Sequence, residues 1–218
     1  MVPLGALAGC AGPLSTLDPA GPAAGLIAGL WWAMLAGAGG ITLLVLGLLA
    51  AGFGRPRPVA EGRWTIALGL WFPLAVLGAL LAAGIWVGER LLPRGDGIVR
   101  VEAQAVQWTW RFAHPDGEGG QVETQGTLHI PAGQPVEVVI TSADVIHSFW
   151  VPQLAGKMDA IPGRANRLVI EARAPGSYQG LCAEFCGLGH AGMRFQVIAH
   201  PPADWPGVLA DLAEGDGE

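Results

Sequence analysis

The amino-acid sequence predicts a two-helix membrane hairpin followed by an all-β sandwich or small barrel. Three observations carry that prediction. Asp18 is followed by no charged residue until Arg55, and residues 64–87 form a second apolar run. Beyond Pro93 the composition changes, and short segments alternate apolar and polar residues with period two. Turn-forming clusters such as "PAGQP", "IPGRAN" and "APGS" separate those segments, and no βαβ pattern or phosphate-binding glycine motif accompanies them.

The two apolar runs come first. A spanning helix needs about 20 predominantly apolar residues, and both runs are long enough. Spans are expected at about residues 25–52 and 64–88, within a membrane region of 25–92. Charged residues make up only 14% of the chain, against roughly 25% in an ordinary soluble domain. Gly37, Gly39, Gly40 and Pro73 lie inside the runs and are tolerated in lipid, where backbone groups bond internally. A buried hairpin in a soluble core is the alternative, and the runs exceed the usual length of soluble helices. The connecting "GRPRPVAEGR" carries Arg55, Arg57 and Arg63 against Glu61, which places it on the cytoplasmic side. Both termini and the β domain are then outside. Trp31, Trp32, Trp64 and Trp86 lie near the expected span ends, where aromatic belts form.

Residues 1–24 form a separate segment. "LAGC" at 7–10 resembles the cleavage box of bacterial lipoproteins, with Cys10 as the lipidated residue. Only nine residues precede Cys10 and none is charged, so either translation starts further upstream or the resemblance is chance. The following "AGPLSTLDPAGPAAG" reads as an extended linker in which Pro13, Pro19 and Pro22 block a helix.

Residues 95–203 are the β domain. Alternation is clear at 99–105, 108–112, 136–140, 168–172 and 195–199. Residues 204–218 read as a short helix, over 204–212, and an acidic tail. From residue 95 onward there are 15 acidic and 7 basic residues. That balance argues against nucleic acid and suits a basic partner approached by long-range steering, although plain solubility asks for the same charge. An exterior compartment also permits disulfides.

The chemistry is concentrated in "GLCAEFCGLGHAGM", residues 180–193. Cys182, Cys186, His190 and Met193 follow one another as C-x3-C-x3-H-x2-M, with His147 further back. Thiolate, thioether and imidazole ligands select copper, zinc or iron–sulfur chemistry. A Cys182–Cys186 disulfide leaves the histidines and Met193 unexplained. Structural zinc would use both cysteines and both histidines and give Met193 no role. A single copper bound by two histidines, one cysteine and an axial methionine leaves a surplus thiol that oxidises readily. Two coppers remove the surplus: the thiolates bridge both metals, His147 and His190 terminate one each, and Met193 and a backbone carbonyl of the 182–186 loop are weak ligands. Such a centre suits electron transfer and needs no open coordination position.

"HSFWVPQLAGKMDAIPGRANR", then "GLCAEFCGLGHAGM", with "QWTWRF" upstream at 107–112, closely resembles subunit II of cytochrome c oxidase, the heme–copper terminal oxidase. The resemblance covers nearly the whole chain. It implies a cupredoxin-like copper domain outside the bacterial cytoplasmic membrane, on the periplasmic side, carried by two spans. It implies that Cys182 and Cys186 bridge two coppers, completed by His147, His190 and Met193 and by the Glu184 carbonyl. The Glu184 carboxylate is implied to reach a magnesium ion at the interface with subunit I, although its residue type alone reads as a surface acid. Trp108 matches the tryptophan that takes the electron from cytochrome c; on pattern alone it is a core aromatic sharing a strand face with Trp110 and Phe112. Asp144 fits an acidic docking position for a basic cytochrome c, and Asp159 a loop near subunit I. Partners implied are subunits I and III, cytochrome c and membrane lipid, with no nucleic acid.

The resemblance also places oxygen reduction and proton pumping in subunit I. This chain would accept electrons and pass them to heme. His114, His129 and His200 read as surface or turn histidines. Glu61 and Trp64 keep part of a family pattern at a proton-channel mouth, but Pro73 comes too late for it. Quinol oxidases have a similar subunit that lacks the copper ligands. Nitrous oxide reductase carries a similar copper domain on a large soluble enzyme. A membrane-anchored copper chaperone would favour more methionines than the four present.

Overall fold

The computed structural model describes residues 9–54, 60–92, 98–116 and 120–215. Residues 1–8 of the lipoprotein-like segment, Arg55 and Arg57 of the positive loop, and Arg94 and Asp96 lie outside the described residues. The chain divides into two units, residues 29–90 and residues 1–28 with 91–218.

The first unit is helical. Two 31-residue helices, Pro22–Gly52 and Glu61–Leu91, are long and apolar enough to cross a membrane, and the apolar window of each is unburied. Leu43, Leu46, Leu77 and Leu81 point outward, which is stable where lipid replaces water as solvent. The second helix widens into a π turn at Ala67–Trp71, where the Phe72 N–H bonds back to the Ala67 carbonyl. Pro73 follows at once. Its missing N–H and its ring, which crowds the carbonyl four residues back, give the wide turn a local cause.

The second unit is a sandwich of two five-stranded sheets, in the orders β3-β2-β1-β5-β8 and β4-β10-β9-β6-β7. The first sheet holds β1 (Val99–Val106), β2 (Thr109–Pro115), β3 (Gln121–Gln125), β5 (Val136–Ser142) and β8 (Asn166–Ile170). The second holds β4 (Thr127–Pro131), β6 (His147–Trp150), β7 (Met158–Ala160), β9 (Gly176–Cys182) and β10 (Arg194–His200). Most pairs are antiparallel, but β1 pairs β5 and β4 pairs β10 in parallel. Alternation sets the register: Val101, Ala103 and Ala105 of β1 face inward beside Val136, Val138 and Ile140 of β5. Trp110, Phe149 and Phe195 pack tilted or edge-on at the centre, Trp110 and Phe149 with ring centroids 5.6 Å apart. Gly180 of β9 faces the Phe195 ring so closely that any side chain there would overlap it.

Three expectations change. Pro22 does not block a helix but opens one, because the first helical turn has no use for its absent N–H. The segment before it is not a free linker: the Ala20 and Gly21 N–H groups donate to the Gln153 carbonyl at 2.8 and 2.9 Å, and the Arg173 N–H donates to the Ala20 carbonyl at 3.1 Å. The histidines read as surface or turn residues lie in β2, β4 and β10. His114 is completely buried, and its Nε2 accepts the His129 backbone N–H at 3.0 Å. Nδ1 of His129 and Nε2 of His200 are 2.9 Å apart. The C-terminal helix, Trp205–Ala213, falls where the sequence places one.

Candidate metal centre

Four segments meet at one end of the sandwich. His147 opens β6, Cys182 closes β9, Met193 immediately precedes β10, and the β9–β10 loop carries Cys186 and His190. Backbone bonds hold that loop: the Cys182 N–H donates to the Met193 carbonyl, and the Ala183 N–H to the Ser148 carbonyl, both at 2.9 Å. His147 is 0%, Met193 1%, Cys182 2% and Cys186 4% exposed, so these four donors sit in the core, whereas His190 is partly exposed.

The donor atoms follow one another in a bent line of close contacts. His147 Nδ1 is 3.8 Å from Cys182 Sγ, Cys182 Sγ is 3.8 Å from Cys186 Sγ, and Cys186 Sγ is 3.7 Å from His190 Nδ1. Met193 Sδ lies 3.7 Å from Cys186 Sγ, and the Glu184 carbonyl oxygen 3.2 Å from Cys182 Sγ. Both thiols are free. His147, Cys182 and Cys186 offer ligand atoms that all lie within 4.8 Å of one another, enough to hold a metal ion. The spacing fits a soft metal. Bonds of about 2.0–2.3 Å to one metal, at tetrahedral to trigonal angles, separate their donor atoms by about 3.3–4.0 Å. Burial, then the neighbouring Cys182, pushes the Cys186 thiol up to about 11. A metal binding here must therefore displace protons.

One imidazole is fixed from behind. Asp144 Oδ1 is 2.8 Å from His147 Nε2. Partial burial works against the Asp144 carboxylate, but hydrogen bonds from His147, Gln107 and Val145 outweigh it and hold it down at about 2. The ionised carboxylate accepts the Nε2 hydrogen, leaving the Nδ1 lone pair for the sulfur side.

Trp108 departs from the strand on which it was expected. Trp110 and Phe112 are fully buried in β2, whereas Trp108 lies in the preceding turn and is 43% exposed. Its indole N–H donates to the Cys186 carbonyl at 3.2 Å. Gly189 lies against the indole, and a methyl there would overlap the ring. Val145, Ile146, Phe185 and Leu188 are exposed apolar neighbours in the site's own loops.

Glu184 is exposed, and its carboxylate lies 3.5 Å from the Lys157 ammonium. The same ammonium is 2.8 Å from Asp159, which also accepts the Ser148 hydroxyl. Sequence reasoning missed Ser148, Lys157 and Gln107. It read Asp144 as a docking position for a basic partner and not as a support for His147, although the three-residue step between them was visible.

The family model of the periplasmic domain of cytochrome c oxidase subunit II matches residues 111–199. That range includes every donor from His147 to Met193. Residues 111–199 thus form a domain of the cytochrome c oxidase subunit II family. The chain is 41% identical over 125 residues to cytochrome c oxidase subunit 2 of Synechocystis, covering 57% of this chain and 36% of that protein. To the Thermostichus vulcanus subunit it is 46% identical over 133 residues, covering 58% of this chain and 39% of the relative. The chain thus spans well under two thirds of these relatives' length. Among solved structures, the periplasmic domain of the Bradyrhizobium japonicum cytochrome oxidase subunit II superposes with a TM-score of 0.53. It is 28% identical over 57% of this chain and 99% of that domain. The cupredoxin-like sandwich is therefore the family's own fold.

Proposed function

We propose that this chain is the electron-accepting subunit of a bacterial heme–copper oxidase. It takes electrons from a basic cytochrome c and passes them to heme in subunit I. The observation that carries the reading is the line of donors, with two shared sulfurs in the middle and one imidazole at each end. Cys182 and Cys186 would bridge two coppers, His147 and His190 would terminate them, and Met193 and the Glu184 carbonyl would be the weak ligands. Two thiolate-bridged coppers supply a one-electron store shared by both metals, with little reorganisation on transfer.

The chain's own residues do the rest. Burial of His147, Cys182, Cys186 and Met193 excludes water from most of the site, and Asp144 orients the His147 ring. Trp108 stands at the surface with its indole N–H on the carbonyl of a bridging cysteine, a short path from outside to sulfur. Exposed Trp108, Val145 and Ile146 offer apolar contact, and the acidic balance of the domain favours a basic donor. Glu184 projects into solvent and has an oxygen ligand for magnesium, the remaining ligands coming from subunit I. The match to a periplasmic domain supports a β domain on the outer side, with both helices crossing the membrane and the two termini outside. Oxygen reduction and any proton pumping belong to subunit I, with subunit III beside it.

The test is copper content and EPR on the full chain, purified in detergent and loaded with copper. Two coppers per chain, with one unpaired electron split equally by both nuclei, is the expected result. One copper split by a single nucleus would make the chain a blue-copper carrier. No bound copper would overturn the reading.

A further inference from the structure

Gln107 is bonded both to the carboxylate behind His147 and to the carbonyl of Cys186. Its backbone N–H donates to Asp144 Oδ2 at 2.7 Å, and Asp144 Oδ1 holds His147 Nε2 at 2.8 Å. Its side-chain Nε2 donates to the Cys186 carbonyl at 2.7 Å, the same oxygen that takes the Trp108 indole N–H at 3.2 Å. One residue in the β1–β2 turn therefore fixes an imidazole through the main chain and a thiol loop through its amide. The loop is shaped to receive it. Gly187 has φ +118° and lies against Gln107 Nε2 and the indole, and Gly189 lies under the same indole. A side chain at either glycine would push the turn away.

We propose that Gln107 is the positioning residue of this centre, setting the Cys186 carbonyl, and with it Cys186 Sγ and the Trp108 contact, relative to His147. The proposal rests on the copper reading for its electronic consequences but not for its mechanical one. A buried carbonyl with two donors is held in one orientation; with one donor it is free to turn. Removing the Gln107 amide takes away the shorter of the two hydrogen bonds to the Cys186 carbonyl. The held position of the loop is then disfavoured about tenfold or more. Trp108 does not replace the Gln107 amide, because its indole bond to the same carbonyl is the longer of the two.

The test uses the full chain in detergent, as Gln107→Leu, which keeps the bulk and removes the donor, and Gln107→Asn, which keeps the amide but shortens its reach. The first readout needs no metal: alkylation of Cys186 relative to Cys182 in the copper-free chain, mapped by mass spectrometry. Cys186 labelling should rise about tenfold in Gln107→Leu. The second is EPR of the copper-loaded chain. Both variants should keep bound copper while the hyperfine splitting and midpoint potential shift, with Gln107→Asn the milder. Unchanged Cys186 labelling in both variants would overturn the proposal. So would labelling that rises equally at Cys182 and Cys186, the mark of general loosening. If the wild-type chain takes no copper yet Cys186 labelling responds, the copper reading fails and the positioning role stands.

Discussion

Asp144 and His147, three residues apart, face each other across 2.8 Å, with the carboxylate behind the imidazole and the cysteine sulfur in front of it. A carboxylate in that place fixes the tautomer and strengthens the ligand nitrogen. Substituting such a partner typically costs 10–100-fold in metal affinity. Asp144→Ala is expected to weaken copper binding by about that factor, and Asp144→Asn by less. Competition titration against a copper chelator measures it. Unchanged affinity in Asp144→Ala would show that the bond does not support the ligand.

Cys186 touches three donor side chains, Cys182, His190 and Met193. Cys186→Ser should therefore abolish the two-copper centre outright. Met193→Leu should keep two coppers and shift only the spectrum and potential. Metal analysis and EPR on the two variants separate these roles. Equal loss in both would mean that Met193 is no weaker a ligand than Cys186.

Acid should loosen the far side of the sandwich first. Burial above all holds His114 at about 4, against an ordinary 6.5, with a weak opposing bond to the Val122 carbonyl. Burial also brings His129 down to about 4 and lowers His200. The folded state keeps His114 neutral, whereas the unfolded chain takes up its proton below 6.5. Its stabilisation is complete above that value and lost as pH falls toward 4. At about 1.4 kcal/mol per unit, His114 alone is worth on the order of 3 kcal/mol. Urea unfolding of the wild type should weaken over this window, and His114→Gln should flatten the slope. Parallel pH profiles for the two proteins would rule out His114 as the cause.

Gly189→Ala should displace the Trp108 indole without emptying the centre, because the added methyl overlaps the ring and no donor atom. Stopped-flow reduction by a cytochrome c should slow, with copper content intact, and Trp108→Phe should behave similarly. A Gly189→Ala chain reduced at the wild-type rate would remove the indole from the path.

Gly180→Ala tests the core. The methyl would meet the Phe195 ring, and overpacking of this kind costs typically 1–3 kcal/mol. A lowered melting temperature is expected. An unchanged one would mean that the aromatic cluster has room to yield.

Much of this architecture was legible because burial alternates. β1 and β10 bury every second residue, so their period is plain in the sequence. β3 is an exposed edge strand with Val122 as its one large apolar residue, and β6 buries His147, Ser148 and Phe149 in succession. Neither shows a period. Trp108 continued the alternation of β2 through a turn that has no glycine or asparagine to mark it. The donors were legible because four of the five side chains lie within a single short block. Gln107 was not: it is 79 positions from the cysteine whose carbonyl it holds, and no local pattern joins them.

The line of donors also dictates an order of assembly. His147 comes from β6, and Cys182, Cys186, His190 and Met193 from the far end of β9 and the loop beyond. They meet only after β6 has paired with β9 and β9 with β10. The domain must fold first and be metallated second. Between those events, on the orientation proposed above, two free thiols wait 3.8 Å apart on the side of the membrane where thiols are oxidised. Their near-complete burial, and the proton that Cys186 retains, act in that interval as storage, keeping the site reduced until its metal arrives.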